Sequence, residues 1–261
     1  MKSIASAPGK IILFGEHFVV HGTPAILAAI DKRVTVTSTF TENKTIKINS
    51  ELGIEEVPFF IHDNHIAYKS TTPNFEEDSY AESREREYPK NLVKEVKSEF
   101  RPFVYLANKM INSNQNVNGL EITINSDIPV GVGLGSSSAC CVAAAASIFG
   151  LSKELPYDSI KRLAHEAEET IFPDLSGADL HACTKGGMIE YEPTSRIIVF
   201  IGSDKSGPYG ISANLVIVNS MIQHSTKRSV EKVRRFKENN EKRFSELCDL
   251  VTKLIGDDGT R

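Results

Sequence analysis

The hydrophobic positions of the chain follow two different periods, and each period predicts a different kind of element. In several segments apolar and polar residues alternate, which is typical of half-buried β-strands. The segments predicted as strands are 33–40, 44–50, 120–128, 188–192, 196–202 and 214–220. In other segments the apolar positions recur every three or four residues, which predicts amphipathic helices. The segments predicted as helices are 91–112, 136–149, 157–172 and one long C-terminal helix through residues 230–254.

Two features qualify these helices. Pro102 lies inside the first, and a proline in a helix interior removes a backbone hydrogen bond, so we expect the helix to break or kink there. The C-terminal helix is predicted from a regular apolar face. The residues of that face are Val230, Val233, Phe236, Phe244, Leu247, Val251 and Leu254.

The order of the elements indicates the fold class. Strands and helices are mixed without a regular βαβ alternation, which favours an α+β fold over a doubly wound sheet. A chain of 261 residues with 40% hydrophobic residues suits one large domain or two modest ones. Residues 63–95 are polar and acid-rich, and we interpret them as a surface excursion.

Composition excludes several classes of function. The net charge is −4, so nothing favours nucleic acid or an anionic membrane as a partner. The chain has no apolar run of membrane-spanning length, and residues 1–10 lack the apolar core of a signal peptide. The four cysteines form no C-x-x-C pair, which argues against a disulfide framework or a zinc site. A reduced, cytoplasmic compartment is therefore expected.

The segment "PVGVGLGSSSACCVAAAAS" (129–147) is the first candidate for chemistry. Three alternate glycines leave room for a ligand beside the backbone, and three serines suit the first turn of the helix that follows. The N–H groups and dipole of that helix add a partial positive charge, so the segment can form a phosphate site. It matches neither G-x-x-x-x-G-K-[ST] nor G-x-G-x-x-G. A glycine-rich turn with no ligand remains the alternative.

Two further segments gather charged residues close to apolar runs. In residues 6–30 these are Lys10, Glu16, His17 and His21; His21 is interpreted as a solvated residue of a strand edge. In residues 168–187, Glu168 and Asp179 could converge to bind Mg²⁺ and accept a proton. Taken alone, Asp179 could equally form an Asx turn, and Glu168 could be a solvated helix residue.

Together the three segments resemble the GHMP kinase superfamily. "SAPGKIILFGEHFVVHG" is similar to the opening motif of the mevalonate kinase family within it, and "PVGVGLGSSSA" resembles the superfamily's P-x-x-x-G-L-G-S-S-A loop. "SGADLHACTKGG" resembles S-G-x-D-x-x-x-S-x-x-G-G, with threonine near the serine position. The resemblance implies a two-domain GHMP kinase fold. Residues 1–185 would form an ATP-binding domain like domain 2 of ribosomal protein S5, and residues 186–261 a ferredoxin-like domain that is incomplete.

The resemblance also assigns roles to individual residues. Asp179 matches the catalytic aspartate that accepts the proton of the substrate hydroxyl, and Lys10 matches the lysine paired with it. Ser137 and Glu168 match the Mg²⁺ ligands. The residues matched to the ATP phosphate loop are Gly131, Gly133, Leu134, Gly135, Ser136, Ser137 and Ser138. The residues matched to substrate binding are Glu16, His17 and Thr226.

The implied activity is Mg²⁺-dependent transfer of the γ-phosphate of ATP to the primary hydroxyl of mevalonate, a step of isoprenoid biosynthesis. Two alternatives stay open: a related kinase acting on phosphomevalonate, a sugar or homoserine, and an inactive ATP-binding module. The second arises because the superfamily's third, glycine-rich motif has no counterpart here, which suggests a truncated chain. Dimers are common in the family, so a homodimer is one expected assembly.

Overall fold

The structure is a computed structural model that describes residues 1–62, 65–68, 96–114, 117–172, 175–193, 197–200, 216–218 and 226–256. The strands are β1 (Lys2–Phe14), β2 (Ala25–Phe40), β3 (Thr45–Ser50), β4 (Gly53–His62), β5 (His65–Tyr68), β6 (Leu120–Ser126), β7 (Met188–Glu192) and β8 (Ile197–Phe200). The α-helices are α1 (Arg101–Ser113), α2 (Ser136–Phe149), α3 (Tyr157–Glu168), α4 (Ala178–Lys185), α5 (Thr226–Asn239) and α6 (Glu241–Gly256). Short 3-10 helices span Val19–His21 and Ser98–Phe100.

The chain divides into two compact units, each made of three segments. The first unit comprises Met1–Ala7, Val34–Asn125 and Cys140–Asp174, and the second comprises Pro8–Arg33, Ser126–Ala139 and Leu175–Arg261. β1, β2, β6 and α2 each contribute residues to both units. The domain boundary between residues 185 and 186 stays a prediction.

In the first unit the strands lie in the order β5-β4-β3-β6-β2. β3 is antiparallel to β4 and parallel to β6, with Ile46 opposite Leu120 and Ile48 opposite Ile122. All four of these side chains are buried, because the alternating pattern directs every second residue of a strand to the same face. The helices of this unit bury their own apolar faces, as α1 does with Leu106.

In the second unit β2 lies between β1 and the pair β7-β8. β2 and β7 are antiparallel, with Ala25 opposite Tyr191 and Leu27 opposite Ile189. Helix α4 contributes Ala178 and Ala182 to the same buried cluster. These two alanines are one helical turn apart, so α4 presents its smallest side chains to the sheet and packs close to it.

Most of the predicted elements are confirmed. Helix α2 has the predicted bounds, 136–149, and the strands at 33–40, 44–50 and 120–128 are present as β2, β3 and β6, with β6 ending at Ser126. The helix predicted at 157–172 ends at Glu168. Of residues 63–95, most lie outside the described residues, and β5 belongs to the sheet rather than to an excursion. Of the strand predicted at 214–220, only 216–218 are described, and they are not in a strand.

Two helix predictions were wrong. Pro102 does not interrupt a helix: α1 begins at Arg101, so the proline lies in the first turn, where its missing N–H costs nothing. The predicted C-terminal helix is two helices that meet at Asn240. The side-chain amide of Asn240 donates to the backbone carbonyl of Phe236, and the backbone carbonyl of Asn240 accepts the N–H of Phe244. A side chain that competes for backbone hydrogen bonds in this way favours a helix end.

The helix pair contacts the rest of the second unit through Phe244. This ring is buried, stacks on Phe18 at a centroid distance of 5.6 Å, and meets the edge of His21 at 4.9 Å. Phe236 lies against the same ring at 6.4 Å, and the ammonium of Lys237 lies 5.6 Å from its centroid. Phe236 and Phe244, one from each helix, therefore belong to the same aromatic cluster.

Phe244→Ala is expected to lower the free energy of unfolding by about 3 kcal/mol, because it removes a buried ring and leaves a cavity. Leu254→Ala, on the same helix, is the matched control, since Leu254 is 71% exposed. Its effect should stay within about 0.5 kcal/mol. Urea unfolding followed by circular dichroism measures both. Equal losses in the two variants would show that Phe244 does not join the helix pair to the unit.

Candidate active site

Lys10 lies on β1 and is joined to the glycine-rich loop through the backbone. Its N–H donates to the carbonyl of Leu134 at 2.9 Å. The opening motif and the phosphate loop, 124 positions apart in sequence, are therefore in direct contact within the second unit. This contact fixes the end of the loop just before α2 begins at Ser136.

Gly135 is the loop residue whose backbone lies directly against the side chain of Lys10. Its φ is +72°, and a Cβ built on it would lie 2.7 Å from Cγ of Lys10. The aliphatic stem of the lysine thus lies directly over the glycine backbone, in space that any side chain would fill. The carbonyl of Gly135 accepts the N–H of Ala139 and lies 3.9 Å from Sγ of Cys183 on α4.

The lysine head group meets Asp179. Nζ of Lys10 lies 3.1 Å from Oδ2 of Asp179, and the two side chains are 6% and 39% exposed. A buried ammonium is costly without a compensating charge, so the carboxylate stabilises the lysine in this position. The larger exposure of Asp179 leaves part of its carboxylate accessible to a second molecule. The Asx-turn interpretation of Asp179 is wrong, because the residue lies in the first turn of α4.

The remaining loop residues surround the start of α2. Gly131 and Gly133 are exposed, Leu134, Ser136 and Ser137 are half-buried, and Ser138 is buried. The first N–H groups of a helix have no acceptor inside the helix and carry a partial positive charge, which suits an anion. The structure therefore brings together Lys10, Asp179 and the predicted phosphate loop.

Glu168 lies in the first unit, at the end of α3, and is 3% exposed. Its interpretation as a solvated helix residue is therefore wrong. Burial, and secondarily the charge of Glu168, raise the pKa of Cys140 to about 12, so this thiol stays protonated at neutral pH. Ser137 belongs to the second unit. The joint binding of Mg²⁺ by Ser137 and Glu168 stays a prediction. In the part of the chain described here, no three His, Cys, Asp or Glu side chains form a metal-binding group.

The predicted substrate residues lie on two elements. Glu16 and His17 follow β1 in a loop that is folded back by two hydrogen bonds, from the N–H groups of Phe18 and Val19 to the carbonyl of Gly15. Glu16 is exposed, and His17 has a φ of +67°, which is unusual for a residue other than glycine. Thr226 is the first residue of α5. Their contacts with a substrate stay predictions.

His21 was interpreted as a solvated residue of a strand edge, but it lies in a 3-10 helix rather than a strand and is half-buried. The 3-10 helix Val19–His21 follows the loop that carries Glu16 and His17. The ring of His21 packs against Phe244, and its Nδ1 lies 3.4 Å from Nζ of Lys237. Burial, followed by the charge of Lys237, lowers the pKa of His21, so the imidazole is neutral at neutral pH. The sequence pattern did not predict these contacts of His21, because Phe244 and Lys237 lie more than 200 positions away in the chain.

Gly135→Ala is expected to reduce the rate of the phosphoryl transfer that the sequence motifs imply by about a hundredfold, because the new methyl group displaces the side chain of Lys10 and small misplacements of reacting groups are costly. Gly186→Ala is the matched control. Gly186 has the same φ as Gly135, +72°, but no atom lies within 4 Å of an added Cβ. Both variants place an alanine at a positive φ, and only the first displaces Lys10.

The measurement is kcat of the two purified variants in a coupled ADP assay. Equal losses would show that backbone strain, rather than displacement of Lys10, causes the defect.

Two comparisons by sequence and one by structure relate the chain to known proteins. The GHMP kinases N terminal domain family matches residues 91–187. The mevalonate kinase of Thermococcus sibiricus is 35% identical over 98% of this chain and 67% of its own length. The crystal structure of Methanococcus jannaschii mevalonate kinase has a TM-score of 0.62 at 21% identity, covering 98% of this chain and 73% of that one.

The L. major mevalonate kinase, solved with R-mevalonate, has a TM-score of 0.61 at 21% identity and covers 98% and 67% of the two chains. These structures share the GHMP kinase fold with the present chain, which confirms the predicted fold class. The chain spans about two thirds of the length of the relatives it matches. By sequence over nearly its whole length, the chain belongs to the mevalonate kinase family of the GHMP kinases.

Proposed function

We propose that the chain phosphorylates the primary hydroxyl of mevalonate with ATP, in a reaction that requires Mg²⁺. The observation that carries the proposal is the contact of Lys10 with both Asp179 and the glycine-rich loop. A carboxylate, an ammonium and a glycine-rich loop before a helix lie together in one unit. These groups can serve as the base, the cation and the phosphate site of a phosphoryl transfer. The names of the relatives supply the substrate.

In this mechanism Asp179 accepts the proton of the substrate hydroxyl. As that O–H bond breaks, the oxygen forms a bond to the γ-phosphorus of ATP, and the bond from that phosphorus to the β–γ bridging oxygen breaks. ADP leaves with the bridging oxygen, and the proton stays on the carboxylate. The partial exposure of Asp179 allows a hydroxyl to approach it.

Lys10 has two tasks in this mechanism. Its ammonium orients the Asp179 carboxylate through the ion pair, and it offsets the negative charge that spreads over the transferred phosphoryl group. The N–H groups at the start of α2 and the exposed backbone of Gly131 and Gly133 bind the phosphates of ATP. Catalysis then consists mainly of positioning and charge neutralisation.

Ser137 and Glu168 are the proposed Mg²⁺ ligands. A hydroxyl and a carboxylate are oxygen donors of the kind that Mg²⁺ prefers, together with substrate phosphates. Mg²⁺ held by these two residues would supply positive charge to offset the negative charge of the ATP phosphates.

Glu16, His17 and Thr226 are proposed to bind mevalonate. A cationic or neutral donor such as His17 can bind the carboxylate or hydroxyl groups of the substrate, and Glu16 can accept from a hydroxyl. A related kinase acting on phosphomevalonate, a sugar or homoserine is the main rival within the superfamily. Rates with each of these acceptors, measured on the purified chain, distinguish the candidates. An inactive ATP-binding module would bind nucleotide and turn over none of them.

Three accompanying assignments stay predictions: the homodimer, the cytoplasmic location and the absence of nucleic-acid or membrane partners. Among the described residues, no helix is long and apolar enough to cross a membrane. The four cysteines are all described and form no disulfide with one another.

Asp179→Asn is expected to lower kcat by about 10²- to 10⁴-fold, because the amide cannot accept the hydroxyl proton. ATP should still bind, since the phosphate loop is unchanged; isothermal titration measures this. Asp158→Asn is the matched control, because Asp158 is 84% exposed and its ion pair with Lys161 is on the surface. An unchanged kcat in Asp179→Asn would refute the role of the carboxylate.

Glu168→Gln is expected to raise the Mg²⁺ concentration that gives half-maximal rate by about tenfold, because a neutral amide is a weaker ligand. The neighbouring Glu169→Gln serves as the control, since Glu169 is exposed. The readout is a Mg²⁺ titration in the coupled ADP assay. Identical titration curves for the two variants would remove Glu168 from the metal site.

A further inference from the structure

Tyr191 is a buried tyrosine whose hydroxyl reaches the residues just before α4. It lies on β7 opposite Ala25 of β2 and is 2% exposed. Its hydroxyl donates to the carbonyl of Ser176 at 2.6 Å. Ser176 precedes Asp179 by three residues, so the hydrogen bond acts on the backbone that leads directly into the catalytic helix.

His181 makes a second hydrogen bond to the same stretch. Nδ1 of its ring lies 2.8 Å from the carbonyl oxygen of Gly177. A carbonyl only accepts, so Nδ1 carries the proton in this contact. The ring is buried, and its centroid lies 5.0 Å from that of Tyr191. The two aromatic side chains therefore pack together and donate to consecutive carbonyls, those of Ser176 and Gly177.

The position of these carbonyls gives the hydrogen bonds their importance. Gly177 is the N-cap of α4, with a φ of +80°, and its conformation sets the direction in which the helix starts. Asp179 follows two residues later, in the first turn. Any rotation of the chain at the N-cap moves the carboxylate, because the side chain has only two torsion angles with which to compensate.

The sheet connects the two members of the ion pair. Lys10 lies on β1, which pairs with β2, and β2 pairs with β7, which carries Tyr191. The hydrogen bond of the tyrosine hydroxyl thus connects the residues before α4 to the same sheet that carries Lys10. Ala178 and Ala182 pack α4 against these strands through apolar contacts, which are not directional.

We propose that Tyr191 and His181 are positioning residues that set the carboxylate of Asp179 against Lys10 and the phosphate loop. The inference rests on the proposed function and extends it to two residues that contact neither nucleotide nor substrate in the mechanism above. Their hydrogen bonds to Ser176 and Gly177 fix the entry of α4. Loss of either bond lowers the rate of phosphoryl transfer rather than the affinity for ATP.

Tyr191→Phe tests the inference with the smallest change, since the ring stays and only the hydroxyl is lost. We expect kcat to fall about tenfold while KM for ATP and the temperature of unfolding change little. Tyr105→Phe is the matched control. The Tyr105 hydroxyl donates to Glu166 at 3.0 Å, in the first unit, and its removal should leave kcat as it is.

Two variants of His181 provide a second test. His181→Asn keeps an N–H donor near the position of Nδ1, whereas His181→Leu removes the donor and keeps an apolar side chain. We expect the asparagine variant to retain more of kcat than the leucine variant. A purely structural role predicts the opposite order, because leucine fills an apolar site better than an amide does.

Phosphorylation of mevalonate and the distance between Lys10 and Asp179 are measured separately, so that the inference and the proposed function can fail independently. If wild-type chain phosphorylates mevalonate and Tyr191→Phe has unchanged kcat, the inference is overturned and the function stands. If wild-type chain is inactive, the proposed function fails, and crystal structures decide the inference: Tyr191→Phe should lengthen the 3.1 Å contact of Lys10 with Asp179. An unchanged contact overturns the inference in that case also.

Discussion

The ion pair of Lys10 with Asp179 is the interaction on which the arrangement of this site depends. A lysine side chain that is almost completely buried needs a negative charge beside its ammonium, and the carboxylate of Asp179 on α4 supplies one. The stem of the same lysine needs a backbone without a side chain, which Gly135 provides. One side chain therefore relates three segments that are far apart in sequence, and its requirements account for the glycine at 135 and the carboxylate at 179.

The fold meets these requirements through direct contacts within the second unit. β1 carries Lys10 and contacts the loop through Leu134, while β7 and α4 meet in a cluster whose alanines allow close packing. Asp179 is partly exposed although its partner is buried, so the pair combines a fixed geometry with access for a substrate. The directional hydrogen bonds of Tyr191 and His181 add what apolar packing lacks, a defined orientation of the helix start.

Local patterns predicted the elements well, because hydrophobic period and helix-start residues are properties of neighbouring positions. Helix α2 follows from its serines and small residues, and β3 follows from strict alternation. The motifs also identified Lys10 and Asp179, and these two side chains form an ion pair in the structure. The division of the C-terminal helix at Asn240 was missed, because the apolar period continues across a residue whose hydrogen bonds end one helix and begin the next.

The roles of His21 and Tyr191 could not be predicted for a different reason. His21 acquires its environment from Phe244 and Lys237, and Tyr191 finds its acceptor in Ser176, across the sheet-to-helix contact. Such partners are chosen by tertiary packing, which no spacing in the sequence encodes. The burial of Glu168 belongs to the same class, because an acidic residue at a helix end is usually solvated.

A crystal structure of the chain with Mg²⁺ and a non-hydrolysable ATP analogue tests the central claim most directly. The account predicts that the triphosphate lies against the N-terminus of α2, with an oxygen of its terminal phosphate within hydrogen-bonding distance of Nζ of Lys10 and with Asp179 facing the same phosphorus. A nucleotide bound elsewhere, or a triphosphate that points away from Asp179, would contradict it.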